Sequence, residues 1–460
     1  MNDTICALAT APGGALGIIR VSGSKAFAAV SSLCSVRCDA VAPNTIHFTR
    51  IVERDAVSTH QEAIDEVLVS VFRAPHSYTS EDSVEISCHG SRFILNKVLE
   101  LLVQNGCRMA LPGEFTQRAY LNGKMDLSQA EAVADLIAST NKATHQMALS
   151  QLRGHFSSEL SQLREQLLKL TSLLELELDF SDHEDLEFAD RTELLTLART
   201  IDSHIARLAH SFETGQALKQ GIPVAIVGKT NVGKSTLLNR LLKDDRAIVS
   251  DIHGTTRDTI EDTIDIQGIA FRFIDTAGIR QTTDQVEKIG INRTYAAIEK
   301  ARIVLWMIDA QPTSEELQEI QERCKDKSLI IIQNKIDKQS VPSVKDLSTH
   351  LSPLTPHLLS ISAKYGEGID ALEQAIYQTA DIPTLSDSDF IVTNARHYDA
   401  LNRAHLSLTN VLNGLDQNLP GDLLAEDLRD VISILAEITG GQITPQETLN
   451  TIFSSFCVGK

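Results

Sequence analysis

The sequence predicts a multidomain chain: an α+β N-terminal domain, an all-α helical domain, and a doubly wound α/β domain inserted into the helical one. Three observations predict it. Short β-rich runs broken by Gly and Pro fill residues 1–118. Long apolar repeats at helical spacing fill 119–216 and return over 381–460. Between them, residues 217–380 alternate apolar strands with helical segments.

Taken in order, Leu16–Val21, Glu66–Phe72 and Ser83–Cys88 read as strands, and Ser91–Gln104 as an amphipathic helix. Leu152–Leu178 is the clearest helix in the chain. In the α/β block the runs VAIVG, FRFID, IVLWMID, LIIIQ and HLLSIS are the expected strands. Helical texture resumes in Asn394–Leu415 and Leu423–Ile438. Helical blocks on both sides of the α/β block favour one interrupted helical domain over four domains in series.

Composition bounds the function classes. Of 460 residues, 42% are hydrophobic and 22% charged, ordinary globular values. No apolar run reaches the roughly 18 residues of a membrane span. The N-terminus, MNDTICALATAPGG, lacks a basic region and a long apolar core, so no secretory signal is expected and the chain reads as cytoplasmic. Seven scattered cysteines form no CxxC pair, which points to reduced, mostly buried thiols rather than disulfides or zinc. The net charge of −19 repels phosphate backbones. If RNA is the substrate, a local basic patch or a partner must supply positive charge.

The α/β block carries four nucleotide motifs in order. Residues 228–235 spell GKTNVGKS, matching GxxxxGK[ST] between a strand and a helix. Its glycines let backbone N–H groups curl round phosphates, Lys234 places charge on the β- and γ-phosphates, and the Ser235 hydroxyl suits Mg2+. Asn231, Val232, Gly233 and Thr236 complete this segment of the expected GTP site. Asp275, Thr276, Ala277 and Gly278 follow the strand ending at Ile274; a carboxylate there holds Mg2+ through water, and Gly278 turns its N–H towards the γ-phosphate. Asn334, Lys335 and Asp337 form NKID, whose Asp accepts two hydrogen bonds from guanine N1–H and the 2-amino group. Adenine lacks that donor pair. Ser362, Ala363 and Lys364 supply a backbone contact near the guanine carbonyl. The inserted domain is therefore expected to be a Ras-like P-loop GTPase domain.

One familiar part is missing. The position after DTAG, where Ras-like switches carry a water-orienting glutamine, is Ile279. Thr256, in the switch stretch Gly254–Asp258, is the candidate second Mg2+ ligand. The amide oxygen of Asn231 can ligate a monovalent cation beside the phosphates, and K+ there would stand in for an arginine finger. Glu287, in the segment after DTAG, is the candidate acid to orient water, although spacing alone favours a solvated glutamate at a helix start.

Beyond these motifs, DTICALATAPGGALGIIRVSG, LPGEFTQRAYLNGKMDLSQAEAVADLI, DIHGTTRD, VEKIGI and the terminal FCVGK span nearly the whole chain. Together they make it resemble the MnmE (TrmE) family of tRNA modification GTPases. The resemblance implies a folate-binding, dimerising N-terminal domain, a helical domain and an inserted G domain. It implies K+-dependent GTP hydrolysis, with Asn231, Ser250, Ile252 and Thr255 around the cation and Glu287 as the catalytic glutamate. It assigns a 5-formyl- or methylene-tetrahydrofolate to Arg20, Glu85, Lys124 and Lys460, and makes Cys457 a site thiol. It further implies a homodimer that forms a heterotetramer with an FAD-dependent partner (MnmG, also called GidA), which carries most of the tRNA contact; no membrane is involved. The joint product would be the 5-carboxymethylaminomethyl or aminomethyl group on a wobble uridine. Lys229 and Thr230 depart from the Arg-Pro of several relatives. Two rivals remain open at this stage. A ribosome-assembly GTPase predicts a basic RNA-binding module that the composition lacks, and a folate-binding scaffold with a decayed G domain conflicts with the complete motif set.

Overall fold

Two six-stranded sheets organise the described part of the chain. The computed structural model describes residues 3–53, 62–179, 191–244, 262–274, 295–338, 358–382, 390–441, 446–454 and 456–459. Contacts divide it into two units: residues 1–138, 148–205 and 400–460 form one, and 139–147 with 206–399 the other.

In the first unit the strands are β1 (Thr4–Leu8), β2 (Leu16–Ser22), β3 (Thr45–Glu53), β4 (Glu62–Phe72), β5 (Ser83–His89) and β6 (Cys107–Met109). Their order is β3-β4-β5-β2-β1-β6. Only the β1–β6 pair is parallel. Side chains alternate across the sheet: Val67, Val69 and Val71 are buried while Leu68 is exposed. The buried face packs on helix Arg92–Gln104 through Leu95, Val98 and Leu102. The opposite face carries Arg20 and Glu85 near its centre and the exposed Ile46, Phe48 and Leu68 towards the β3 edge.

Strand β4 begins four residues before the apolar alternation does. Backbone pairing with β3, which sets Asp65 opposite Ile51 and Glu62 opposite Glu53, extends it through a polar stretch. Strands β1 and β6 are short, and β3 has no clean alternation; none was legible in the sequence.

Helices follow the sheet. The helix expected from Leu152 starts instead at His155 and runs to Asp179. Gly154 sits at φ +84°, a left-handed turn that ends the preceding helix Lys142–Leu152. Leu160, Leu163, Leu167, Leu170 and Leu174 make a buried stripe at helical spacing. This helix packs against Gly421–Thr439, from the far side of the α/β block, whose Leu428, Val431 and Leu435 are also buried. Arg429 and Glu175 pair across them at 2.7 Å. A last helix, Gln446–Ser454, not anticipated from sequence, sets Phe453 against Leu127, joined by Phe456 just beyond it.

In the second unit the strands are β7 (Ile222–Gly228), β8 (Asp262–Ile266), β9 (Ile269–Phe273), β10 (Ile303–Ile308), β11 (Ser328–Gln333) and β12 (Leu358–Ser360). Their order is β12-β11-β10-β7-β9-β8, with β8 antiparallel and the others parallel. The chain leaves β7 for the β8–β9 side, then returns across it to β10. The carboxyl end of β7 is thus a topological switch point, where ligands of open α/β sheets bind. Helices cover both faces: Leu237, Leu238, Leu372 and Ile376 on one, Ala297, Ile298 and Ile320 on the other.

Candidate nucleotide site and a second polar site

Strand β7 ends in Gly228 at φ +146°, and the chain then curls through Asn231 at φ +60° and Gly233 at φ +110°. These signs turn successive N–H groups inwards, as an anion-binding loop requires. Neither glycine has room for a side chain. A Cβ on Gly228 would lie 2.4 Å from the Met307 carbonyl oxygen, and one on Gly233 would lie 2.2 Å from Asn334 Nδ2. Helix Lys234–Asp244 starts at once, placing Lys234, Ser235 and Thr236 in its first turn.

Lys234 is the informative side chain. Its amine donates to the carbonyl oxygens of Gly228 at 2.5 Å and Lys229 at 2.8 Å. Burial pulls its pKa below the ordinary lysine value. No carboxylate pairs with it among the described residues. A half-buried ammonium held by carbonyl dipoles fits a phosphate counter-anion, and the Ser235 hydroxyl is a hard oxygen donor of the kind Mg2+ takes.

The base-recognition motif is bolted to this loop. Asn334, 3% exposed, donates from Nδ2 to the Val232 carbonyl at 2.8 Å and accepts from the Ala363 N–H at 3.0 Å. Three expected motifs therefore meet on one side chain. Ser362 donates to Asp337 Oδ1 at 2.7 Å, which fixes the carboxylate meant for guanine. Lys335, at φ +68°, pairs with Asp309 at 2.5 Å. Lys364 lies over the Tyr365 ring. Asp309 was not singled out from sequence; it follows β10 in a stretch with no motif of its own. Lys229, one of the two departures in the P-loop, pairs with Glu316 at 2.6 Å, and Glu316 also closes the capping box of helix Ser314–Arg323.

Asn231 is exposed on the loop. Ser250, Ile252, Thr255, Thr256, Asp275, Gly278 and Glu287, expected around Mg2+, K+ and the attacking water, lie outside the described residues. Lys460 does too.

The first unit assembles a different polar centre. Arg20 and Glu85 stand directly opposite each other on β2 and β5. Arg20 reaches Glu85 Oε1 through Nε at 2.9 Å and Nη2 at 2.8 Å. Its guanidinium lies over the Tyr78 ring at 5.1 Å and the Phe115 ring at 5.6 Å from the centroids. Lys124 donates to the carbonyl oxygen of Ser77, the neighbour of Tyr78. The expected trio Arg20, Glu85 and Lys124 is thus gathered round one loop. Arg20 Nη1 and Glu85 Oε2 have no partner among the described residues, so the centre keeps one donor atom and one acceptor atom in reserve. A guanidinium and a carboxylate in one centre suit an aminopyrimidine, and the lysine suits a carboxylate.

The chain's last residues lie against the same sheet. Val458 bridges to Pro112, and the Gly113 N–H donates to the Cys457 carbonyl at 3.4 Å. Gly459, at φ +94°, passes so close to β1 that a Cβ would lie 2.2 Å from the Leu8 carbonyl oxygen. Cys457 is exposed, whereas the other six cysteines are buried.

Comparison with known proteins identifies the family. The family described as "MnmE helical domain" matches residues 127–457, and "GTP-binding protein TrmE N-terminus" matches 4–124. A tRNA modification GTPase MnmE of Phocaeicola vulgatus is 54% identical over 495 residues, covering 100% of this chain and 99% of that protein. The protein of the same name in Bacteroides thetaiotaomicron is 52% identical, with 100% of both chains covered. That in Parabacteroides distasonis is also 52% identical, again with full coverage of both.

Proposed function

Because the chain belongs to the MnmE (TrmE) family and is a GTP hydrolase acting in tRNA modification, we propose that it hydrolyses GTP in a K+-dependent way. We assign it the installation of the 5-carboxymethylaminomethyl or aminomethyl group on a wobble uridine. The observation that carries the K+ reading is Asn231, an exposed amide at a positive φ within the phosphate loop, close in sequence to the half-buried Lys234. Ile279 leaves no glutamine to orient water.

In this reading Lys234 exchanges its two carbonyl partners for phosphate oxygens. Asp337, held by Ser362, accepts from the guanine edge. Ser235 and Thr256 ligate Mg2+. Asn231, Ser250, Ile252 and Thr255 hold K+, and Glu287 orients the attacking water. When bound, the two cations supply positive charge to the phosphates as negative charge develops there.

We assign the polar centre of Arg20, Glu85 and Lys124, with Lys460, to a tetrahydrofolate, which would supply the one-carbon unit when bound. The tail that carries Cys457 lies on the same sheet, which supports a role for its thiol there. The exposed row Ile46, Phe48 and Leu68 on the open sheet face supports a homodimer formed through this domain. Redox chemistry and most of the tRNA contact belong, in this reading, to the FAD-dependent partner (MnmG) in a heterotetramer in the cytoplasm. The net charge of −19 supports that division.

The test is GTP turnover in KCl against NaCl at equal ionic strength. Strong stimulation by K+ is expected, and equal rates would sink the cation reading. Glu287→Ala should abolish turnover while sparing GTP affinity.

A further inference from the structure

The stretch LPGEFTQRA, which opens the block containing Lys124, has no task in the nucleotide and folate assignments. Its structure gives it one. Gly113, at φ +67°, starts helix Glu114–Leu121 abruptly, and a Cβ there would lie 2.7 Å from the Phe453 carbonyl oxygen. The first turn then delivers two adjacent side chains towards Arg20. Phe115, fully buried, places its ring 5.6 Å from the Arg20 guanidinium. Thr116, also fully buried, hydrogen-bonds the Tyr78 phenol at 2.9 Å, and the Tyr78 ring lies 5.1 Å from the same guanidinium.

The helix itself is pinned. Arg118, 1% exposed, pairs with Asp3 at 2.8 Å, Glu114 at 2.9 Å and Glu81 at 3.2 Å. Glu81 in turn accepts from Ser22, two residues along β2 from Arg20. A free arginine side chain has four soft torsions and pays a large rotamer entropy to hold one pose. Here two ring faces and a carboxylate restrict it from three directions. Burial raises the Tyr78 pKa, so its phenol stays a neutral partner for Thr116 and puts no competing charge beside Arg20.

We infer that Tyr78, Phe115 and Thr116 are positioning residues that preset the Arg20 guanidinium, and through it the Arg20–Glu85 pair, for a pterin-like ligand. The ligand rests on the folate assignment above; the positioning of Arg20 does not.

Two measurements on the full-length protein separate the claims. The first is calorimetric titration of 5-formyltetrahydrofolate into wild type, Arg20→Ala, Tyr78→Phe, Tyr78→Leu and Thr116→Val. Losing one ring face should weaken binding about 3- to 30-fold in Tyr78→Leu. Tyr78→Phe keeps the ring but breaks the Thr116 bond, so it should lose less than Tyr78→Leu and about as much as Thr116→Val. Thr116→Val is nearly isosteric, stands in should Tyr78→Leu fail to fold, and should cost about 2- to 10-fold by leaving the phenol unpaired. Wild-type affinity in Tyr78→Leu and Thr116→Val beside impaired Arg20→Ala overturns the positioning role and leaves the folate assignment standing. Wild-type affinity in Arg20→Ala overturns the folate assignment instead.

The second needs no ligand: the Nε–H resonance of Arg20 in arginine-labelled protein, identified by its loss in Arg20→Lys. A shift towards the solvent-exposed arginine position in Tyr78→Leu, with wild-type position in Tyr78→Phe, is expected. An unmoved resonance in Tyr78→Leu overturns the inference whatever the titration shows.

Discussion

The side-chain amide of Asn334 spans from the end of β11 to the phosphate loop, donating to the Val232 carbonyl at 2.8 Å while accepting the Ala363 N–H at 3.0 Å. One buried residue thereby holds the P-loop, the base-recognition strand end and the loop after β12 in a single register. Nucleotide affinity should therefore depend on a side chain whose two hydrogen bonds both go to the protein backbone.

Asn334→Ala should therefore loosen all three segments. It strands a buried carbonyl and a buried N–H, each worth about 1–3 kcal/mol when unpaired. The expected result is a loss of GDP affinity on the order of 10- to 100-fold, read by stopped-flow fluorescence with a labelled nucleotide. Affinity within twofold of wild type would refute the coupling.

Ser362→Ala removes the hydroxyl that orients Asp337. The carboxylate remains, so guanine is still chosen over adenine, but its geometry is no longer fixed. GDP should dissociate about 3- to 10-fold faster, consistent with one lost hydrogen bond to a charged group. An unchanged dissociation rate would show that Asp337 holds its orientation without the serine.

Acid should weaken the N-terminal domain through its Asp3, Arg108 and Glu114 cluster. The Arg108 guanidinium beside Asp3 holds that carboxyl below its usual value. Burial pushes the Glu114 carboxyl up, but bonds from Arg108, the Leu111 N–H and Arg118 outweigh it and leave it lowered. Folded-state values below the unfolded ones mean a contribution fully present above the unfolded pKa values, near 4.5 for Glu114 and 3.8 for Asp3, and lost as pH falls through the lower folded ones. Thermal melts from pH 7 to pH 3 should show the midpoint falling below about pH 4.5. In Arg108→Gln that acid-dependent fall should shrink; an identical profile would mean these pairs do not set it.

Gly459→Ala tests how the tail is held. The added Cβ would meet the Leu8 carbonyl oxygen at 2.2 Å, and φ +94° is strained for any L side chain. The last residues should leave the sheet and become susceptible to carboxypeptidase, while GTP turnover is unchanged. Wild-type resistance would show that the Val458–Pro112 bridge suffices by itself.

Much of the nucleotide site was legible because its chemistry is local. The glycines at 228 and 233 are dictated by a backbone path, and each motif sits at the end of an apolar strand that periodicity reveals. Asp309 escaped notice because a lone aspartate after a strand has nothing in its neighbourhood to mark it as a partner for Lys335. The start of the long helix was misplaced for a local reason too, since apolar spacing runs on through Arg153 and Gly154 although the backbone turns there.

The N-terminal site is the opposite case. Arg20 and Glu85 are separated by 65 residues, and Arg118 joins Asp3 from 115 residues away. Motif resemblance put Arg20, Glu85 and Lys124 on one ligand, but only strand order set the first two side by side and laid Tyr78 and Phe115 against the guanidinium. By itself the sequence determined the three kinds of domain and the order of the nucleotide motifs, since hydrophobic period and backbone-restricting residues act within a few positions of themselves. The tertiary structure decided which charges meet and what fixes them. Cross-strand register and helix docking bring together residues whose sequence neighbourhoods carry no trace of one another.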